Sequence, residues 1–204
     1  MITIINYGLG NIQAFANIYK RLTIPVRIAT SADDLDDAEK IILPGVGAFD
    51  WAMTRLNESG MRNRLEELVT EKGCPVLGIC VGMQIMAERS DEGILDGLGW
   101  IDAEVRRFDE TAFTQKTHLP HMGWNDVKPV TGDCLFRGLE EDARFYFLHS
   151  YYFVPHREAD VLAVTDYNGP YASSVRSGNV FGVQFHPEKS HHWGIQLLKN
   201  FSEL

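Results

Sequence analysis

Short apolar runs alternate with segments whose apolar residues return at three- and four-residue intervals through the first half of this chain. Ile2 to Asn6, Val26 to Ala29, Lys40 to Leu43 and Pro75 to Ile79 are predicted as buried strands. Between them, Ile12, Phe15, Ala16 and Tyr19 share one helical face with Asn11 placed as the N-cap, and Met61, Leu65, Leu68 and Val69 mark a second helix that Gly73 can end. A third helix, Val81 to Arg89, leaves the fourth strand. Beyond residue 95 the pattern turns strand-like throughout: Leu98 to Phe108, Trp124 to Val130, Ala143 to Val154, Val161 to Tyr167, Tyr171 to Arg176 and Val180 to Phe185 are separated by Gly, Pro, Asn and Asp. An amphipathic helix from about His191 to Phe201 follows, with Ile195, Leu198 and Phe201 facing inward.

Alternating strands and helices predict an α/β fold: an open, mostly parallel sheet of flavodoxin-like shape with helices on both faces and an added antiparallel region in the second half. At 204 residues and 45% hydrophobic content the chain is read as a single domain over 1–204. The net charge of -9 offers no basic stripe to neutralise phosphates, which argues against nucleic-acid binding. Asp33 to Glu39, the longest charged stretch, reads as a solvated loop or helix start. No run approaches membrane-spanning length, and MITIINYGLG reads as a strand and turn rather than a secretory leader. Cysteines at 74, 80 and 134 have no metal-ligand spacing, and their odd number suits reduced thiols in the cytoplasm. His118 and His121 lack a third ligand at sensible spacing, so no metal and no cofactor are expected.

Candidate chemistry concentrates at Cys80, inside GICVG at 78 to 82. A nucleophile on a strand-to-helix elbow is held in a strained conformation, its glycine neighbours leave room for substrate, and the N–H groups of the following helix favour thiolate. His186 can serve as base and acid, and Glu188, two residues on in an extended segment stiffened by Pro187, can fix its tautomer. Attack on a carbonyl also needs oxyanion donors. The N–H of Val81 is one candidate, and the Gly45-Val46-Gly47 turn after the third strand is the other, since strand C-termini share one crevice in an open parallel sheet. The expected site performs acyl transfer. Cys74 and Cys134 read as packing residues, and NYGLGN lacks the third glycine of a dinucleotide turn.

GICVGMQ at 78 to 84, PGVGAF at 44 to 49 and VFGVQFHPEKS at 180 to 190 resemble the class I (triad) glutamine amidotransferases. NYGLGN at 6 to 11, HMGWN at 121 to 125 and FYFLHSYYF at 145 to 153 resemble, within that family, the glutaminase subunits that serve a (β/α)8-barrel cyclase in histidine biosynthesis. The resemblance implies a Cys80, His186 and Glu188 triad, with Gly45, Val46, Gly47 and Val81 at the oxyanion. It implies that Gln84, Glu92, Ser150 and Tyr151 hold the α-amino and α-carboxylate ends of glutamine. It further implies a heterodimer in which Asn11, Met122, Trp124, Tyr146 and Lys189 face the cyclase, and ammonia passed to that partner. The oxyanion turn, flanked by two glycines, is expected to be completed by partner binding. His191, His192 and the Gln115 to His118 loop depart from the motifs on the surface. Two other readings stay open here: a glutaminase subunit of another synthase, such as one making anthranilate or aminodeoxychorismate, and a stand-alone γ-glutamyl thiol hydrolase.

Overall fold

The computed structural model describes residues 1–114, 117–130 and 132–204. Residues 115 and 116 of the Gln115 to His118 loop therefore lie outside the described residues. In chain order the elements are β1 (Ile2–Ile5), α1 (Ile12–Arg21), β2 (Val26–Ala29), β3 (Lys40–Gly45), α2 (Phe49–Glu58), α3 (Arg62–Glu66), β4 (Val76–Cys80), α4 (Val81–Gln84), β5 (Arg89–Ser90) and β6 (Ala103–Arg107). There follow β7 (His121–Asp126), β8 (Lys128–Pro129), β9 (Arg144–His149), β10 (Tyr151–Pro155), β11 (Val161–Asp166), β12 (Pro170–Ser177), β13 (Val180–Val183) and α5 (His191–Ser202). The main sheet runs β2-β1-β3-β4-β13-β12-β10-β6-β5. Its first five strands are parallel, and β12 begins the antiparallel part. The expected architecture is observed.

Strand side chains alternate between two apolar layers, as the two-residue period requires. Ile41, Leu43 and Val76 pack with Phe49, Met53 and Leu56 of α2 and with Leu65 of α3. Ile42, Leu77 and Ile79 face the other way, against Phe15 and Tyr19 of α1 and Leu198 and Phe201 of α5. On α5, Leu197 is fully buried while Ile195 is only half-buried, which shifts the expected inward face by part of a turn. Asn11 caps α1 as expected, its Oδ1 accepting from Ala14 N at 3.3 Å. Asn11→Ala removes that acceptor and should destabilise the chain by about 1 kcal/mol, measurable by urea unfolding; no change in midpoint would show that water caps the helix as well.

Three departures from the pattern have physical causes. Helix α2 escapes the sequence reading although Phe49, Ala52, Met53 and Leu56 have helical spacing. Its N-cap, Ala48, has no capping side chain, and the cap comes instead from Glu92, 43 positions away, accepting from Phe49 N at 2.8 Å. The helix after Cys80 stops at Gln84 rather than Arg89 because the following carbonyls are taken from outside: Leu98 N reaches Ile85 O at 2.7 Å, Ile101 N reaches Met86 O and Gly99 N reaches Ala87 O. The same bonds shorten the expected Leu98 to Phe108 strand to β6. Finally, the Ala143 to Val154 run breaks at Ser150 into β9, which pairs with β7 in a separate two-stranded sheet, and β10, which joins the main sheet.

Candidate active site

Cys80 ends β4 with φ 56° and ψ -116°, a left-handed backbone that a non-glycine residue rarely adopts. Such strain costs roughly 1–3 kcal/mol and persists only where surroundings impose it. Here the imposing contact is on view. A Cβ added to Gly82 would lie 2.0 Å from Leu43 O, so α4 is pressed against β3 and the chain must turn sharply to reach it. The register between β3 and β4 sets Gly45 opposite Cys80, which brings the Val46-Gly47 turn beside the sulfur. Gly47, at φ +119°, needs its glycine. The Tyr7 hydroxyl donates to Pro44 O at 2.8 Å and so anchors the strand just before that turn.

The imidazole arrives from β13. His186 donates from Nδ1 to Glu188 Oε1 at 3.0 Å, with both side chains almost completely buried. A carboxylate can only accept at neutral pH, so the proton on Nδ1 is fixed and Nε2 is turned to Cys80. Burial on its own pushes the ring towards the neutral form. The hydrogen bonds to Cys80 and Glu188, reinforced by their charge, outweigh it and hold His186 at about 10. The intervening segment is a 3-10 turn, Pro187–Lys189, rather than the extended stretch expected: Glu188 returns to the ring because the chain coils. The ring's backbone seat is closed by Ser190. His186 N donates to Tyr146 O, Ser190 Oγ donates to His186 O, and Tyr146 N donates to Ser190 Oγ.

A cleft of about 300 Å³ opens at these residues. Val46, Gly47, Cys80, Val81, Gln84, Glu92, Ser150, Tyr151, His186 and Lys189 all line it, so ten residues singled out from the sequence meet at one place. Gly45 and Glu188 stand directly behind, in β3 and the 3-10 turn. Glu92 is partly buried; desolvation pushes its carboxyl up, and the N–H of Phe49 works against that shift. Gln84 is not free in the cleft, since its Nε2 donates to Tyr151 O at 3.0 Å and to Gln184 Oε1 at 2.9 Å.

Four neighbours were not anticipated. Gln184, fully buried, donates to Cys80 Sγ at 3.8 Å; its place two residues before His186 was the available signal. Pro120, Leu148 and His149 complete the lining. His149 belongs to a buried cluster in which its Nδ1 donates to Tyr151 O at 2.8 Å. Its Nε2 is therefore an acceptor, with His121 Nδ1 and the Tyr171 hydroxyl both 3.1 Å away, and the hydroxyl also lies 3.2 Å from His121 Nδ1. Asn125 Nδ2, fixed as a donor by Asp166 O, gives to His121 Nε2 at 3.2 Å. His121 is thus a core residue of β7. Burial lowers His121 to about 4 and, with the neighbouring His121, lowers His149 to about 3.

Beside the cleft lies an apolar surface. Met122 is 65% exposed and Trp124 38%. Trp124 stacks on His191 and meets Tyr146 edge-on, while Lys189 Nζ sits 5.7 Å from the Tyr146 ring centre. Asn11 is exposed at the start of α1. No helix among the described residues is long and apolar enough to cross a membrane.

The family pattern described as "Glutamine amidotransferase class-I" matches residues 3–203. Over its full 204 residues the chain is 61% identical to "Imidazole glycerol phosphate synthase subunit HisH" of Bdellovibrio bacteriovorus, covering 100% of that protein. It is 48% identical to the protein of the same description in Leptospira interrogans, again with 100% of both chains covered. Among solved structures it is similar to a glutamine amidotransferase from Thermotoga maritima, with a TM-score of 0.63 at 20% identity, covering 92% of this chain and 75% of that one. At that identity the likeness concerns the fold.

Proposed function

Since the chain belongs to the class-I glutamine amidotransferase family and, within it, to the HisH subunits of imidazole glycerol phosphate synthase, we propose that it is the glutaminase of that synthase, working in histidine biosynthesis. The observation that carries the reading is the meeting of Cys80, on its strained elbow, with an imidazole that Glu188 orients, in a cleft bordered by Val46, Gly47 and Glu92. In the proposed reaction the Cys80 sulfur attacks the side-chain amide carbon of glutamine. The N–H groups of the Val46-Gly47 turn and of Val81 take the negative charge of the tetrahedral intermediate. His186, held at about 10 and so charged near neutral pH, gives its Nε2 proton to the departing nitrogen. The C–N bond breaks, leaving ammonia and a glutamyl thioester. Water then loses a proton to His186 and attacks the thioester, releasing glutamate and restoring the thiolate and imidazolium.

Glu92 suits the α-ammonium of the substrate by charge, while Ser150 and Tyr151 offer hydroxyl and backbone groups around its other end, and Gln84, its two amide hydrogens committed to Tyr151 O and Gln184 Oε1, holds that wall of the cleft in place. The partner is a (β/α)8-barrel cyclase, which uses the ammonia to form imidazole glycerol phosphate and an aminoimidazole carboxamide ribonucleotide. Met122, Trp124, Tyr146, Lys189 and Asn11 form the docking face, and the exposed apolar surface next to the cleft supports this. Ammonia in bulk water near neutral pH is mostly ammonium, so delivery through an enclosed junction between the two proteins fits the chemistry. The chain acts as one amidotransferase domain over 1–204, in keeping with the family match to residues 3–203. A cytoplasmic setting agrees with three cysteines that are all free.

Co-purification with the cyclase, followed by assay of glutamine-dependent imidazole glycerol phosphate formation, tests the whole reading. Synthesis that needs added ammonia even with glutamine present would overturn it. Glutamine hydrolysis should rise about tenfold or more when the cyclase binds, as a coupling free energy across the junction implies. Equal turnover with and without the cyclase would refute completion of the oxyanion turn by the partner and leave the triad standing.

A further inference from the structure

The loop after β5 is tied to α2 from both sides. Glu92 takes the N–H of Phe49, the first residue of α2, on Oε2 at 2.8 Å. From the helix, Asp50 accepts Ile94 N on Oδ2 at 3.0 Å and Leu95 N on Oδ1 at 3.1 Å. Gly93 sits between the two ties, and a Cβ there would come within 1.9 Å of Asp50 Oδ1. The Asp50 carboxylate therefore fills the space beneath the loop. Apolar packing does not hold this segment, since Ile94 is 94% exposed and Leu95 38%. Hydrogen bonds to Asp50 take that part.

We propose that Asp50 is a positioning residue for glutamine: by clamping residues 93–95 it keeps the Glu92 carboxylate at the edge of the cleft, where the α-ammonium of the substrate has to find it. The inference rests on the amidotransferase reading, because Glu92 meets an ammonium only if the substrate is an α-amino acid. Asp50 does not border the cleft, so its effect passes through the loop. A loosened loop presents Glu92 correctly for only a fraction of the time, and substrate affinity falls by that fraction. The thiol, its base and the oxyanion turn are left alone. The consequence is a defect in KM with little in kcat.

Glutamine hydrolysis by the full chain bound to the cyclase provides the test. Asp50→Ala should raise KM for glutamine about tenfold with kcat within about twofold of the parent. Asp50→Asn, which keeps an acceptor oxygen for Leu95 N and Ile94 N, should recover most of the loss. Gly93→Ala should produce the same KM defect alone and add little in the Asp50→Ala background, because the two substitutions release one clamp. Labelling of Cys80 separates this inference from the reading beneath it. 6-Diazo-5-oxo-norleucine carries the α-amino and carboxyl groups of glutamine, so Asp50→Ala should need about tenfold more of it for half-labelling, whereas iodoacetamide, which lacks both groups, should react as with the parent. An unchanged KM, or a loss that affects both reagents alike, overturns the role given to Asp50. Failure of the diazo ketone to label Cys80 in the parent chain overturns the amidotransferase reading and this inference with it.

Discussion

Cys80→Ala should abolish glutamate release, with a fall in kcat on the order of 10³-fold or more, while the complex with the cyclase still makes imidazole glycerol phosphate from added ammonium salts. The size follows from the mechanism: without the sulfur there is no thioester, and only oxyanion stabilisation and binding remain. His186→Ala should cost a similar factor, because the thiol and the ring bonded to it act as a unit. The double substitution should then be little worse than either alone, as for other nucleophile and base pairs. Glutamate release measured on all three variants decides the matter. A Cys80→Ala protein that keeps a tenth of parental turnover would dismiss the covalent route, and costs that multiply would separate the two residues. The ammonia-dependent reaction is the control for folding and docking.

Acidification should destabilise the chain by about 3–4 kcal/mol between pH 7 and pH 5, well before ordinary carboxylates titrate. His121 and His149 are the cause. Each uses a ring nitrogen as an acceptor from a fixed donor, so a second proton on either ring sets N–H against N–H or O–H. Their folded values, about 4 and about 3, lie below the unfolded value of 6.5. The stabilisation is therefore complete above pH 6.5 and is lost as pH falls towards those values. Each ring contributes about 1.4 kcal/mol per pH unit in that window. His186 has the opposite sign: raised to about 10, its contribution is complete below 6.5, disappears as pH rises through 10 and adds no slope between 6.5 and 4. Glu92, pushed up by burial, takes its proton first in the folded chain and offsets a little of the loss. Urea unfolding at pH 7, 6 and 5 should show a progressive fall in midpoint. A flat profile would mean that the cluster accommodates protonated rings.

The grouping of Cys80, His186 and Glu188 is legible in the sequence because each sits within a few residues of the feature that positions it. Cys80 lies between the glycines that permit its elbow, and His186 and Glu188 share one short segment. The crevice shared by parallel strand C-termini points the Gly45-Val46-Gly47 turn towards Cys80, and the register pairs Gly45 with Cys80. What escaped was whatever depends on contacts distant in sequence. The cap of α2 is supplied by Glu92, the shortening of α4 by residues 98–101, and the acceptor role of His121 Nε2 by Asn125, which Asp166 O fixes as a donor. Periodicity cannot foresee a carbonyl claimed by a remote amide. The path of Glu188 shows a subtler limit: the two-residue spacing predicts its pairing with His186 on an extended backbone, and a tight turn makes that pairing instead.

Ser190 and the main chain of Tyr146 form the cradle on which the His186 imidazole rests, and the side chain at position 146 takes no part in it. In the complex proposed here the outward ring at that position can consequently be exchanged to suit a different cyclase surface, with the proton-carrying nitrogen staying where it is. Under that proposal, recognition at the junction and geometry at the reaction centre are decoupled through a few backbone atoms.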